Sequence, residues 1–154
     1  MKPEKLQWLR EEIANLELAA IHLRFSLDRS RELIDRPSWS LEELERLESL
    51  TSRFARLADL LVQRVMRLID DLELMSQGSL LDRIQRAEKR GWMEEAGQLV
   101  RIRELRNLIA HEYASDKMPD LYRAVAALTP SLLAAIPKVK ASADDLLDRY
   151  ADAE

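Results

Sequence analysis

The sequence predicts an all-α fold: an elongated antiparallel helical bundle of about four to six helices, forming one domain over residues 1–154. Three observations predict it. Apolar residues recur in alternating steps of three and four over long stretches, as one face of a helix requires. Capping signals and prolines bracket those stretches. The composition, 47% hydrophobic and 34% charged with only three glycines and five prolines, is that of a helical protein rather than a disordered or fibrous one.

Leu6, Leu9, Ile13, Leu16, Ala20, Leu23 and Leu27 give a first helix from about Lys5 to Ile34. Arg36-Pro37 ends it, because proline restricts its predecessor and cannot extend the hydrogen-bond ladder. Ser40-Leu41-Glu42-Glu43 is a capping box that opens a second helix. Its stripe runs through Leu44, Leu47, Thr51, Phe54, Ala58, Leu61, Val65, Leu68 and Leu72 and stops near Gln77-Gly78. Joined by a short connection, the two form an antiparallel hairpin, each helix reaching ~40 Å or more.

Ser79 caps a third helix from Leu80 to about Lys89, which Gly91 ends in the left-handed conformation. A fourth covers roughly Met93 to His111, with Gly97 inside it explained by close approach of another helix. After a turn at Ser115 to Met118, Pro119 starts a final helical region that Pro130 and Pro137 are expected to kink or divide. The acidic tail from Asp144 to Glu154 is expected to fray.

Without cysteine there is no disulfide framework, thiolate metal site or cysteine nucleophile. The N-terminal residues show no apolar signal region, and no run of eighteen apolar residues occurs, so neither secretion nor membrane insertion is expected and a cytoplasmic location is. The formal net charge of -4 argues against long-range attraction of nucleic acid, so any RNA contact must be local. Between positions 83 and 106, Arg83, Arg86, Lys89, Arg90, Arg101, Arg103 and Arg106 outnumber the acids, a pattern that solvated helix faces also produce. Adjacent carboxylates at Glu42-Glu43, Asp70-Asp71 and Asp144-Asp145 diverge on a helix and read as solvated faces, while Trp8, Trp39 and Trp92 read as packing at helix ends or interfaces.

One segment has unusual chemistry: Arg106-Asn107-Leu108-Ile109-Ala110-His111-Glu112-Tyr113. His22, the only other histidine, reads as structural. In an ideal helix Arg103, Asn107 and His111 share one polar face that interrupts the apolar pattern of Leu99, Ile102, Leu105 and Ile109. Arg106 comes to the border of the buried face, where its charge needs a carboxylate from a neighbouring helix or a ligand. Spacing does not choose between them.

The string Arg103-Glu104-Leu105-Arg106-Asn107-Leu108-Ile109-Ala110-His111-Glu112-Tyr113, with its Arg-x4-His-x-Tyr pattern, resembles the motif of HepT-like proteins, toxin-type ribonucleases of the HEPN superfamily. The order of helices is also similar. The resemblance implies a metal-independent, cofactor-free endoribonuclease acting as a homodimer, with motifs from two subunits facing one cleft. It makes His111 the general acid/base and Arg106 the phosphate stabiliser, with Asn107 placed to orient the histidine or the phosphate; Arg103 joins them as a supporting residue only through its place on the His111 stripe. It makes Tyr113 the acceptor of AMP groups from a cognate nucleotidyltransferase, the antitoxin that silences the nuclease. Taken alone, Tyr113 reads equally well as an interfacial aromatic. The same residues fit a second expectation, a non-catalytic helical binding partner of a nucleotidyltransferase.

Overall fold

A computed structural model of the chain describes residues 3–75, 78–95, 97–111 and 115–152. Among them the regular structure is entirely helical: α1 (Pro3–Ser30), α2 (Leu41–Asp59), a π-helical segment (Leu60–Val65), α3 (Met66–Leu72), α4 (Leu80–Lys89), α5 (Gln98–Ala110) and α6 (Met118–Asp152).

The apolar stripe of α1 is buried along its length, from Leu6 and Leu9 to Leu23 and Leu27. The α-helix stops at Ser30, four residues before the expected end, and tightens into a 3-10 turn over Arg31–Leu33. The capping box forms as the sequence requires: Ser40 Oγ accepts from the Glu43 N–H at 3.2 Å, and Glu43 accepts from the Ser40 N–H at 2.9 Å.

The expected hairpin is present, and cross-links fix its register. Ser30 Oγ donates to the Arg46 carbonyl, Arg53 to Ser26 Oγ, Arg64 to Glu12 and Lys5 to Asp71. As the pairs move back along α1 from Ser30 to Lys5, their partners advance along the second rod from Arg46 to Asp71, which is antiparallel pairing. α6 lies alongside both. At one end Tyr122 meets Trp39 edge to face at 5.5 Å, and at the other the Tyr150 hydroxyl donates to the Leu72 carbonyl. It therefore runs parallel to α2 and α3.

Several expectations are corrected. Pro130 and Pro137 do not divide α6, which is one element of 35 residues. Both prolines are exposed, and the buried Leu132, Leu133, Ala135 and Ile136 between them hold the helix against the core across both sites. The acidic tail does not fray before Asp152, because Leu146 is buried and Tyr150 is tied to Leu72. By length and composition α6 could cross a membrane, a property the sequence reading did not register. One face of it packs into the bundle, with Val125, Leu132, Ala135, Val139 and Ala143 fully buried.

The second rod ends at Leu72, before the expected Gln77-Gly78, and it is not uniformly α-helical. At Leu60–Val65 the Met66 N–H bonds the Leu61 carbonyl rather than that of Val62. The Val62 carbonyl, left without its helical partner, accepts from Arg83 NH1 of α4 at 3.4 Å.

Asp70, expected on a solvated face, is instead buried. Its side chain is 1% exposed and accepts from Arg86 NH1 and Arg90 NH2, both at 2.9 Å. This clamp fastens α4 to α3. Three cations of the basic run, Arg83, Arg86 and Arg90, are thus internal ties, neither a solvated face nor a surface for a local RNA contact. Gly91 adopts the expected left-handed φ of 76°, and Trp92 then turns into the core with Nε1 donating to Ser142 Oγ at 2.9 Å.

Truncation by Asp70→Ala leaves two guanidinium groups facing each other with little water, and is expected to lower stability by about 3–5 kcal/mol in urea denaturation. A second expectation concerns acid. The backbone and hydroxyl hydrogen bonds of Ser40 hold Glu43 below its ordinary value of 4.5, and those of Ser79 hold Asp82 below 3.8. Their contribution is present above those values and lost as pH falls through the depressed folded-state pKa. Thermal melts below pH 4.5 should therefore show a weaker acid dependence in Glu43→Gln and Asp82→Asn than in the native chain.

Candidate functional site

The helix that carries the motif begins later than its sequence pattern indicated. α5 starts at Gln98 rather than Met93 because Gly97 is its N-cap, at a left-handed φ of 83°. Gly97 is thus not an interior glycine awaiting a close helix. Its conformation is one that L side chains rarely adopt, and its N–H donates to Glu88 Oε1 at 2.8 Å, tying the start of α5 to α4. Gln98 Nε2 donates to Ser131 Oγ at 3.0 Å, which fixes the same end to α6.

From that anchor Leu99, Ile102 and Leu105 point into the core, with Ile109 partly buried, as expected. Arg106 reaches the edge of this face. There it meets Asp59, the last residue of α2: Nε donates to Oδ1 at 2.6 Å and NH2 to Oδ2 at 2.9 Å. Of the two partners that the sequence allowed for this charge, the structure supplies the carboxylate. The hydrogen bonds to Asp59 raise the Arg106 pKa against the opposing effect of burial, so the guanidinium stays charged.

Arg103, one turn earlier, brings NH1 to 3.7 Å from the same Asp59 oxygen, while its Nε is buried without a hydrogen bond among the described residues. Asn107 is exposed on the outer side of α5. His111 is also exposed and follows the last helical residue as C-cap, its N–H donating to the Leu108 carbonyl at 3.2 Å and its backbone extended at φ -94° and ψ 151°. The helix therefore stops one residue short of the expected end. Among the described residues no side-chain hydrogen bond joins Asn107, His111 and Arg106. Tyr113 lies outside the described residues.

Asp59 and Arg106 open onto a groove of about 880 Å³ between α2 and α5, lined also by Ser52, Arg56, Gln63 and Arg64, with Ile109 and Ala110 at the end nearest His111. Four guanidinium groups face it against one carboxylate. Arg64 is drawn partly aside by Glu12 at 3.4 Å. A local cationic groove on a chain of net charge -4 can bind anions without relying on the overall field. Among the described residues no cluster of His, Asp or Glu is arranged to hold a metal ion.

The sequence pointed to Arg103 and Arg106 but missed Asp59, Arg56 and Arg64. One signal was available. From Arg53 to Arg67 the charged residues are Arg53, Arg56, Asp59, Arg64 and Arg67, a basic run with a single acid at its centre.

The Arg106–Asp59 pair is partly solvated, with side chains 29% and 36% exposed. In a double-mutant cycle of Arg106→Ala and Asp59→Ala, unfolding is expected to show a coupling of at most about 1 kcal/mol. A coupling several-fold larger would mark the pair as a principal support of the fold. Compared with protein-family models, curated proteins and solved structures, the chain matches none.

Proposed function

We propose that this chain is a metal-independent endoribonuclease of HEPN-like fold, the toxin of a toxin–antitoxin pair whose antitoxin is a nucleotidyltransferase. The observation that carries the reading is the cationic groove of Arg56, Arg64, Arg103 and Arg106, which ends at Ile109 and Ala110 beside the exposed His111 of the Arg106-Asn107-x3-His111-x-Tyr113 motif.

The chemistry suits these groups. RNA carries its nucleophile: the 2′-oxygen attacks the adjacent phosphorus, its proton passes to a base, and the bond to the 5′-oxygen breaks as an acid protonates that leaving group. The products are a 2′,3′-cyclic phosphate and a free 5′-hydroxyl. An imidazole exchanges protons near neutral pH, and a guanidinium neutralises charge growing on the phosphoryl oxygens. His111 takes the first role and Arg106 the second, with Asn107 and Arg103 supporting them.

One chain has only one histidine at this site, so a homodimer facing two motifs across one cleft would supply both base and acid. Leu18, Ile21 and Phe25, more than half exposed on one side of α1, offer apolar surface for such an assembly. Tyr113 is the proposed AMP acceptor; a phosphate-bearing group two residues from His111 would oppose RNA binding by charge and bulk. The proposed location is the cytoplasm.

The second reading, a non-catalytic partner of a nucleotidyltransferase, is favoured by one observation: the fork of Arg106 is already filled by Asp59. It predicts co-purification with the nucleotidyltransferase and no RNA cleavage by the free chain.

In buffer containing a chelator, the purified chain is expected to cut RNA to cyclic-phosphate ends, and His111→Ala to slow cleavage about 10²–10⁴-fold without loss of helicity by circular dichroism. Undiminished cleavage by His111→Ala would remove that residue from the mechanism. Light scattering that finds a monomer under cleavage conditions would remove the composite cleft.

A further inference from the structure

The two arginine-bound carboxylates of this chain differ in a way that points to different roles. Asp70 is sealed: it is 1% exposed, and Arg86 and Arg90 are 16% and 17% exposed. Asp59 holds Arg106 just as closely, at 2.6 and 2.9 Å, yet it is 36% exposed at the wall of an open groove. That groove carries three further guanidinium groups, from Arg56, Arg64 and Arg103. Even with Glu12 on Arg64, two carboxylates against four guanidinium groups leave about half of that positive charge unneutralised, a poor arrangement for a merely structural pair and a good one for a site awaiting more anions.

The geometry points to Asp59 as a built-in competitor for the phosphodiester. Its two oxygens take the Nε–NH2 edge of Arg106, the planar fork that two non-bridging phosphoryl oxygens would take in the same manner. Both anions cannot share that edge without like-charge contact, so the strand's phosphate enters as the Asp59 side chain leaves. The inference rests on the proposed function only in taking an RNA strand as ligand.

A selectivity follows. A lone phosphate must displace Asp59 with one contact's worth of attraction. A strand that also places phosphates near Arg56 and Arg64 brings several contacts to the exchange, and binds where the free anion is excluded. Asp59 thus acts as a specificity residue that favours polymer over small anions.

The test uses a fluorescent, uncleavable 2′-O-methyl oligoribonucleotide and anisotropy titration of the full chain at fixed salt. Asp59→Asn is expected to bind it about tenfold more tightly than the native chain, through loss of the competing charge. It is also expected to gain affinity for inorganic phosphate, and the double variant Asp59→Asn, Arg106→Ala to lose both gains. Equal or weaker binding by Asp59→Asn, with native helicity by circular dichroism, overturns the proposal.

A measurement on the native chain guards against a variant that fails to fold. The Arg106 Nε–H resonance, held by Asp59, is expected to move on saturation with the oligonucleotide; an unmoved resonance overturns the proposal. Cleavage of ordinary RNA separates the two claims. Tighter binding by Asp59→Asn with no cleavage by either protein sustains the competitor and sinks the nuclease. Cleavage by both with unchanged KM, and no gain in oligonucleotide binding, does the reverse.

Discussion

The carboxylate of Asp70, enclosed by Arg86 and Arg90, is the tie on which the placement of the second half of the molecule depends. The hairpin of α1 with α2 and α3 is held by a continuous apolar seam, but α4 is short and buries only Ile84, Ala87 and Arg83. Charge adds to this small apolar contact in setting its position. From there the chain is placed in sequence: Arg90 lies over the Trp92 ring at 5.0 Å, Trp92 bonds Ser142 of α6, and Glu88 receives the N–H of Gly97, the residue that starts α5. Desolvating a carboxylate and two guanidinium groups is costly, and only their mutual hydrogen bonding makes it tolerable. What is gained is orientation: the face of α5 bearing Arg103 and Arg106 is aimed at the end of α2.

The fate of the basic residues shows why net charge is a poor guide to local fields. Of the run between positions 83 and 106, Arg83 serves a backbone carbonyl and Arg86 and Arg90 serve Asp70. Only Arg103 and Arg106 reach the groove, and the cations that join them there, Arg56 and Arg64, come from a different part of the chain. The positive groove is a product of packing α2 against α5, not of any one basic segment.

The all-helical architecture was legible in the sequence because it rests on short-range patterns. Three-four alternation marked the buried faces of α1, α2 and α5; Ser40 and Ser79 marked two helix starts; Gly91 marked a helix end. What was illegible depends on contacts between distant residues. Gly97 reads as a helix interior until its φ and its bond to Glu88 make it a cap. Asp70 reads as one of a solvated acidic pair until two arginines about one α4 turn apart close on it. The two prolines of α6 read as breaks, but the buried residues between them hold the helix against the core and it continues through both. At the site, Arg106 was found from its place beside a buried face, while Asp59, 47 residues away in sequence, stood out only as the lone acid of a basic run, with nothing local to name its partner.

The π-helical segment Leu60–Val65 joins these threads. In an uninterrupted α-helix, residues eleven apart return to within about 20° of the same direction, so Asp59 and Asp70 would stand on one side of the rod. One extra residue in the intervening turn swings the later one by about 100°, leaving the two acids roughly a quarter-turn apart. A single helix can thereby present one carboxylate to α4 and the other to α5. The carbonyl of Val62, freed by that same turn, finds its donor in Arg83, so the irregularity that divides the two acids also helps to hold the helix that encloses one of them.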